Sequence, residues 1–195
     1  LQPFMKLSTA LFEGSEEMRN HFLMYPAFKI QKPAEKGPGH IPIIYGKQGT
    51  GKTLWWDTFG NLVGHQHYIC SSKPSVFFGE HAEGFVHKTI AIFDEANKGG
   101  MKDFWGALKE ASTNVHMVVN GKHKKPIEMP NLALIGILSN KVQPVKIDYA
   151  REKDRRFIAA RPTDEYLAPE YNSQFWAALR RHLASPEFLR CLYDY

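Results

Sequence analysis

A glycine-rich octapeptide constrains the fold of this chain more than any other part of its sequence. It fits the phosphate-loop pattern G-x-x-x-x-G-K-[ST] and consists of Gly46, Lys47, Gln48, Gly49, Thr50, Gly51, Lys52 and Thr53. An apolar run of strand length, Ile41 to Tyr45, precedes it, and apolar positions at helical spacing follow it from Thr53 to Val63, where Gly64 is placed to end the helix. Because the motif binds phosphate between a strand and a helix, the sequence predicts an α/β domain with a central parallel sheet flanked by helices.

The residue types of this loop suit a polyphosphate ligand. Glycines let the backbone bend so that successive N–H groups converge on phosphate oxygens, and the following helix adds the positive end of its dipole. Lys52 is expected to contact the β- and γ-phosphates, and the hydroxyl of Thr53 is expected to bind Mg²⁺. The alternative, a glycine-rich turn that merely contains a lysine, leaves the flanking strand and helix unexplained.

A second apolar run ends in a pair of carboxylates. Thr89 to Phe93 has the length of a buried strand, and Asp94 and Glu95 follow it directly. A carboxylate at the carboxyl end of a parallel strand lies in the crevice where α/β sheets bind ligands. Asp94 is therefore expected to hold Mg²⁺, and Glu95 to orient the attacking water. Taken alone, the pair also fits a solvated strand end, but its distance from Lys52 leaves room for one further helix and strand.

Polar residues at two later positions are candidates for the same site. The apolar run Leu132 to Leu138 is followed by Asn140, whose amide can sense the γ-phosphate or position water if this strand lies beside the phosphate loop. Arg155 and Arg156 precede another short apolar run, and one of them can stabilise the transition state from a neighbouring subunit. An ordinary strand-end turn and a surface arginine are the alternatives for these two positions.

A hairpin with a basic tip is predicted between the second and third apolar runs. Val115 to Val119 leads into Asn120-Gly121, a strong signal for a two-residue turn, and Pro126 to Pro130 returns towards the next strand. The tip carries Lys122, His123, Lys124 and Lys125. Such a tip suits a nucleic-acid backbone, whose phosphates are contacted regardless of base sequence, or it is simply a solvated charged turn.

The rest of the chain divides into two flanking segments. Residues 1–38 are predicted to form a helical segment, helical to about residue 30, with a linker rich in glycine and proline. Residues 39–165 are predicted to form the core that contains the phosphate loop, and residues 166–195 a C-terminal helical segment. In this tail Asn172 and Ser173 are candidate helix caps, and Ser185-Pro186 starts a second short helix. Its apolar stripe is assigned to core packing and to no chemistry, and comprises Phe175, Trp176, Leu179 and Leu183.

Composition limits the alternatives. The net charge of +5 and the pI near 9.1 make an anionic partner plausible. Two cysteines, Cys70 and Cys191, are too few for a disulfide framework or a cysteine zinc site, and both are expected to be buried thiols in a reducing compartment. His65 and His67 have no third ligand at useful spacing. No apolar run reaches membrane-spanning length, and a chain that begins at Leu1 without a leader is interpreted as a piece of a longer polypeptide.

In this order the motifs resemble those of superfamily 3 helicases, the AAA+ type found in DNA viruses, phages and plasmids, over roughly residues 20–165. Residues 46–53 are similar to the family's Walker A motif, and residues 90–95 to its Walker B motif. Asn140 falls where the family has its motif C asparagine. Residues 154–157 resemble the arginine-finger segment, in which Arg156 matches the finger best and Arg155 is the other candidate.

The hairpin refines this resemblance. Residues 119–125 are similar to the B′ hairpin of polyomavirus and papillomavirus helicases, in which an adjacent lysine and histidine track single-stranded DNA. The octapeptide, Leu108-Lys109 and the doubled arginines resemble the helicase part of poxvirus-type primase-helicases. That likeness implies a fused primase or origin-binding domain in the full-length protein. The resemblance also implies that Lys122, His123 and Lys124 contact DNA.

Together these observations predict an ATP-dependent DNA helicase or translocase, with ATP and Mg²⁺ as cofactors. It would act on single-stranded or forked DNA as a homo-oligomer, with a hexameric ring expected. Its place of action would be the host-cell compartment in which a viral, phage or plasmid genome is replicated. The alternatives are a P-loop motor that packages or partitions DNA and a ring that binds ATP only to assemble. The basic hairpin argues against the first, and the pairing of Asp94 with Glu95 argues against the second.

Overall fold

The structure is a computed structural model that describes residues 1–78, 82–94, 101–119, 125–141 and 155–195. The described part of the chain forms six α-helices and seven strands, joined in places by short 3-10 turns. In chain order these elements are α1 (Gln2–Leu11), α2 (Glu16–Gln31), β1 (Ile41–Tyr45), α3 (Lys52–Val63), β2 (Tyr68–Ser71), β3 (Ile90–Phe93), α4 (Met101–Thr113), β4 (His116–Val119), β5 (Ile127–Pro130), β6 (Leu134–Ser139), β7 (Phe157–Ala160), α5 (Ser173–Leu183) and α6 (Pro186–Tyr193).

Five of the strands form one parallel sheet in the order β2-β3-β6-β1-β7. The predicted strand from Ile41 to Tyr45 is confirmed at both ends, and the other two predicted runs become β3 and β6 with shifts of one or two residues. In the register of the sheet, Tyr45 pairs with Ser139 and Phe93 with Ile137. The carboxyl ends of β1, β3 and β6 therefore lie side by side, as a site built on several strand ends requires.

A hydrophobic core covers each face of the sheet. Alternate side chains of the strands point to opposite faces, so that Ile44 belongs to the core beneath the terminal helices and α3, while Ile43 belongs to the core beneath α4. Trp55, on α3, is fully buried in the first core, and Phe93 is fully buried in the second. Burial of a large apolar side chain stabilises a fold by roughly 1.5–3 kcal/mol, so both layers are firmly attached to the sheet.

The N-terminal segment is two helices where the sequence predicted continuous helix to about residue 30. The chain turns sharply between α1 and α2 because Glu13 and Gly14 adopt φ values of 60° and 73°, in the left-handed region. Ser15 then caps α2 by accepting a hydrogen bond of 3.2 Å from the Met18 amide. Phe4, Leu7 and Leu11, on α1, are buried in the core that α1 shares with α3.

The C-terminal segment follows its prediction closely. Asn172 caps α5 by accepting hydrogen bonds from two amides, and Ser185 caps α6. Leu179 and Leu183 are buried in the same core as α1 and α3, as predicted, while Trp176 is only partly buried. The core thus continues from the N-terminal helices through α3 to the tail.

The predicted hairpin is present as β4 and β5, an antiparallel pair in a sheet of their own. Val119 pairs with Ile127, and Val118 and Ile127 are each 61% exposed. The turn and its basic residues, Lys122, His123 and Lys124, lie outside the described residues. The antiparallel pairing of β4 with β5 confirms the predicted hairpin strands. The prediction for the basic tip concerns residues outside the described part of the chain.

The prediction that both cysteines are buried is wrong for Cys191, which is exposed. α6 buries Phe188 and Leu192, one turn apart, and Cys191 lies at the margin of that buried stripe, where its side chain reaches solvent. Cys70 is half-buried in the edge strand β2, and burial raises the pKa of its thiol to about 12, with smaller contributions from the nearby carboxylates. Separately, none of the helices in the described ranges is long and apolar enough to cross a membrane.

Candidate nucleotide-binding site

The phosphate loop connects the end of β1 to the start of α3, as the sequence predicted. Gly51 caps α3 with φ 87° and ψ 10°, a left-handed conformation that side chains disfavour. The position is also crowded, because a Cβ on Gly51 would lie 2.8 Å from Leu7 Cδ1 and 3.0 Å from the indole of Trp176. Glycine is therefore needed here both for the turn and for the close approach of α1 and α5 to the loop.

Lys52 is folded into the curve of the loop. Its ammonium donates hydrogen bonds of 2.9 Å to the Gly46 carbonyl and 2.6 Å to the Lys47 carbonyl. The Thr50 hydroxyl also donates to the Lys47 carbonyl, at 3.1 Å. Burial lowers the pKa of Lys52, and the nearby Asp94 carboxylate opposes that shift. The lysine is thus held where the loop backbone curves, which is the position that the predicted phosphate contact requires.

Thr53 and Asp94, the two predicted Mg²⁺ ligands, face each other across the site. The Thr53 hydroxyl lies 3.4 Å from Asp94 Oδ2. Thr53 belongs to the first turn of α3, and Asp94 follows the end of β3. A hydroxyl and a carboxylate are the hard oxygen ligands that Mg²⁺ prefers, so the donor set fits this ion.

A cavity of about 290 Å³ opens beside these residues at the carboxyl edge of the sheet. Asn140, exposed directly after β6, lies on its wall together with Lys52, so the structure brings the predicted amide to the predicted phosphate loop. The residues lining the cavity are Gln48, Gly49, Thr50, Gly51, Lys52, Thr53, Leu54, Asp94, Asn140, Trp176 and Arg180.

Lys47 has a different position from the other loop residues. Its ammonium forms an ion pair of 2.6 Å with Asp164, and both side chains are about 60% exposed. Exposed pairs of this kind stabilise a fold by at most about 1 kcal/mol. The Lys47 side chain therefore links the loop to the segment after β7, and the loop carbonyls of Gly46 and Lys47 serve to hold Lys52.

The predicted finger arginines are not part of this cavity within one chain. Arg155 and Arg156 precede β7, and the Arg156 carbonyl accepts a hydrogen bond of 2.7 Å from the Ile41 amide at the start of β1. Because β1 and β7 are parallel, this is the amino edge of the sheet, opposite the phosphate loop. Glu95, the predicted water-orienting carboxylate, lies outside the described residues.

Two residues of α5 line the cavity although the sequence pointed to neither. Trp176 was assigned to core packing alone, yet its indole packs against Gly51. Arg180 lies one helical turn further along and lines the same cavity. Their spacing places them on one side of a helix, but only the packing of α5 beside α3 shows which side meets the loop.

A second carboxylate, Asp57, lies one turn after Thr53 on α3 and does not line the cavity. Asp57 Oδ1 accepts a hydrogen bond of 2.9 Å from the Tyr68 hydroxyl. Burial raises the pKa of Asp57; the Tyr68 hydrogen bond and the charge of Arg180 lower it, and Asp94 raises it. Arg180 and Asp94 are therefore close enough to Asp57 to act on it electrostatically, which places a cation among the acidic groups of the site.

Comparison with known protein families gives one match. The sequence model of a family of unknown function, DUF5906, matches residues 44–156, more than half of the chain. The matched segment runs from the end of β1 to Arg156 and so contains the phosphate loop and every candidate catalytic residue named above. No curated protein matches the sequence.

Solved structures share the fold. The C-terminal region of NrS-1, in its apo A form, superposes with a TM-score of 0.80 at 22% identity and covers 99% of this chain and 45% of that one. A second structure of that region, spanning residues 305–718, gives 0.73 at 24% identity, over 97% and 44%. The JCV helicase with a bound small molecule gives 0.57 at 14% identity, over 98% and 54%. The chain thus spans about half the length of these structures, and the likeness confirms the predicted α/β fold with its helix-flanked parallel sheet.

Proposed function

The chain belongs to the DUF5906 family, and we propose that it is the ATPase core of a ring-forming DNA helicase or translocase that serves the replication of a viral, phage or plasmid genome. The observation that carries the proposal is the convergence of Lys52, Thr53 and Asp94 at the carboxyl edge of the sheet, with the threonine hydroxyl 3.4 Å from the aspartate. The helicase-like fold supports the same class of activity.

The residues of the site suit binding and hydrolysis of ATP. The N–H groups of the loop and the first turn of α3 would contact the phosphates, and Lys52 would exchange its two carbonyl acceptors for phosphate oxygens. Mg²⁺, held by Thr53 and Asp94, would neutralise charge that develops on the phosphates. Asn140 would orient the γ-phosphate or water from the wall of the cavity, and Glu95 would orient the attacking water.

A ring accounts for the position of the finger arginines. Arg155 and Arg156 lie at the edge of the sheet opposite Lys52, so neither reaches the phosphates of its own chain. In a ring with head-to-tail contacts, each subunit presents one surface to the next subunit and a different surface to the previous one. Arg156, or its neighbour Arg155, would then complete the site of the next subunit, and we propose a hexamer.

The β4–β5 hairpin is the proposed DNA-contacting element. It forms a sheet separate from the five-stranded one that holds the phosphate loop. Lys122, His123 and Lys124 would contact the phosphates of single-stranded or forked DNA. A primase or origin-binding domain elsewhere in the full-length protein, and an intracellular site of action, belong to the same proposal.

The test is Mg²⁺-dependent ATP hydrolysis, measured with and without forked DNA and paired with strand separation. We expect turnover that forked DNA stimulates, and in Asp94→Asn a loss of about 100-fold or more because the metal loses a charged ligand. Asp194→Asn, an exposed aspartate at the end of α6, is the matched control and should keep full turnover.

Three outcomes separate the alternatives. Turnover stimulated by duplex DNA without strand separation would identify a packaging or partition motor. Nucleotide-dependent assembly without turnover would identify a ring that uses ATP only to assemble. If neither Asp94→Asn nor removal of Mg²⁺ changes turnover, the assignment of the site itself is wrong.

A further inference from the structure

Another cavity, of about 450 Å³, lies at the amino edge of the five-stranded sheet, opposite the phosphate loop. Thr89 and Ala133, which directly precede β3 and β6, line it, and Met117 and Met129 bring the β4–β5 hairpin to it. Its volume is in the range of ligand-binding pockets. None of its lining residues lines the phosphate cavity, so it is a separate candidate site.

The hairpin gives this cavity an apolar wall. Met117 and Met129 are directly paired between β4 and β5, so their side chains lie on the same face, and both are half-buried. The buried ring of Phe85 and the side chain of Pro130 line the cavity with them. Thioethers are polarizable and make favourable contacts with aromatic rings. The wall therefore suits a flat aromatic group.

Basic side chains line the same cavity beside the apolar wall. They are His67, His87 and Lys88, and none of the described residues that line the cavity is acidic. The Lys88 ammonium donates a hydrogen bond of 2.8 Å to the Gln66 carbonyl, and an ammonium group has further donors for an anion. No described carboxylate forms an ion pair with Lys88. The cavity is thus complementary to an anion that carries an aromatic ring.

A strained turn holds two of these basic residues in place. His87 adopts a φ of 61°, in the left-handed region, which is uncommon for a residue other than glycine. The Lys88 amide donates to the Phe85 carbonyl at 3.2 Å, and Nδ1 of His67 lies 3.2 Å from the His87 carbonyl, to which it would donate. Backbone strain of this kind costs about 1–3 kcal/mol and is concentrated at functional sites. The strain is an observation independent of charge, and it also favours a ligand here.

The cavity shares its hairpin with the basic tip predicted from the sequence. The Met117–Met129 pair lies two residues further from the tip than the Val119–Ile127 pair, about 7 Å along the strands. Proteins bind single-stranded nucleic acid by combining basic groups, which contact the phosphates, with surfaces on which the bases lie. The cavity offers both within one element of the fold.

We propose that this cavity binds one unstacked base of single-stranded DNA against Met117 and Met129, with a neighbouring phosphate on Lys88, His67 and His87. The proposal rests on the proposed DNA-binding function and adds to it a base-binding site apart from the hairpin tip. The strand would then be held at two places on the hairpin, through its phosphates at the tip and through a base at the cavity.

The first measurement tests the base contact. Binding of the full chain to an oligodeoxythymidine and to an abasic oligonucleotide of the same length is followed by fluorescence anisotropy. We expect Met129→Ala to weaken binding of the oligodeoxythymidine about 2- to 10-fold, the range for one thioether on an aromatic ring, and to leave binding of the abasic strand unchanged. Met24→Ala is the matched control, because Met24 is 65% exposed on α2 and does not line the cavity.

The second measurement tests the phosphate contact. Lys88→Ala should weaken binding of both strands, and the slope of log K against log salt should fall in magnitude by about 0.7, the share of one phosphate contact in a single strand. Lys6→Ala removes the same charge from an exposed position of α1 outside the cavity, and it should leave the slope unchanged.

Several results would overturn the proposal. Equal weakening of both strands by Met129→Ala would show a structural role only, and unchanged binding in both Met129→Ala and Lys88→Ala would show that DNA does not enter the cavity. Competition by deoxythymidine monophosphate as strong as that by the oligodeoxythymidine would identify a site for free nucleotides instead.

Two further outcomes keep the test decisive. If Met129→Ala does not fold, Ala34→Trp decides, because Ala34 lines the cavity from the exposed linker and the indole would fill it. An unchanged preference of that variant for the oligodeoxythymidine over the abasic strand contradicts the proposal. Failure of the unmodified chain to bind either strand would instead refute the DNA-binding function on which the proposal rests.

Discussion

Two buried lysines, Lys52 at the phosphate loop and Lys29 in the last turn of α2, have almost the same local chemistry and very different surroundings. Lys52 donates to the carbonyls of Gly46 and Lys47, and Lys29 donates to those of Pro33 and Glu35 at 3.0 and 2.6 Å. Burial lowers the pKa of both. A lysine that caps loop carbonyls is therefore not, by itself, a sign of a ligand site.

The surroundings distinguish the two. Lys52 lies on the wall of a cavity, with the hydroxyl of Thr53 and the carboxylate of Asp94 beside it. Lys29 is fully buried, and the linker that it closes is fixed to α4 because Lys36 donates a hydrogen bond of 3.0 Å to the Ala111 carbonyl. The same interaction, a buried lysine that donates to two loop carbonyls, is therefore expected to position a ligand-binding group at Lys52 and to stabilise the fold at Lys29. This difference can be tested.

The largest expected effects come from replacing each of the two buried lysines, one of which should change activity and the other stability. Lys52→Ala should abolish ATP turnover, with a loss of about 100-fold or more, because the phosphates lose a buried cation. Lys29→Ala should leave two linker carbonyls without a donor and lower the free energy of unfolding by about 2–4 kcal/mol. Urea unfolding and ATP hydrolysis are measured on both variants. A large loss of turnover in folded Lys29→Ala would contradict the division.

The next effect concerns the glycines beside the two lysines. Gly51→Ala should lower the free energy of unfolding by about 2–5 kcal/mol, because it combines a left-handed φ with overpacking against Leu7 and Trp176. Gly37 is the control, since a Cβ there meets only Lys29 Cδ, at 3.9 Å, and its backbone is not in the left-handed region. Gly37→Ala should change stability by no more than about 1 kcal/mol. Urea unfolding measures both variants. If Gly51→Ala lowers the free energy of unfolding no more than Gly37→Ala does, the phosphate loop is not crowded at Gly51.

Much of the phosphate loop and little of the linker could be predicted from sequence, for a physical reason. The loop's strand, helix and Gly64 cap are set by residues adjacent in the chain, and β1 was predicted to the residue. The burial of Lys29 depends on how α2 packs against the rest of the chain, and no local sequence pattern predicts that burial. Arg180 was missed for the same reason, because its position depends on the docking of α5 beside α3.

The pH dependence of stability should also reveal the burial of Lys29. The pKa of Lys29 is lowered from 10.5 to about 8, chiefly by burial; the charge of Glu35 opposes this shift and that of Lys36 adds to it. Between these pH values the unfolded chain binds a proton that the folded chain has released, so the free energy of unfolding rises with pH. The rise is at most about 3 kcal/mol. Thermal or urea unfolding from pH 7 to 10.5 should show this rise in the free energy of unfolding for the unmodified chain and a smaller rise for Lys29→Met. If the two chains show the same dependence on pH, Lys29 stays charged in the folded state.

The smallest effects belong to the exposed ion pair of each loop. Lys47 pairs with Asp164 at 2.6 Å, and Lys32 pairs with Glu35 at 3.3 Å, with all four side chains more than half exposed. Asp164→Asn and Glu35→Gln should each cost about 0–1 kcal/mol, and 1 M salt should remove most of that cost by screening. A double-mutant cycle with Lys47→Ala, followed by urea unfolding at low and high salt, measures the first pair. A coupling energy well above 1 kcal/mol that persists in high salt would contradict this expectation. The Lys47–Asp164 pair would then stabilise the phosphate loop as the buried Lys52 contacts do, and would differ from the exposed Lys32–Glu35 pair of the linker.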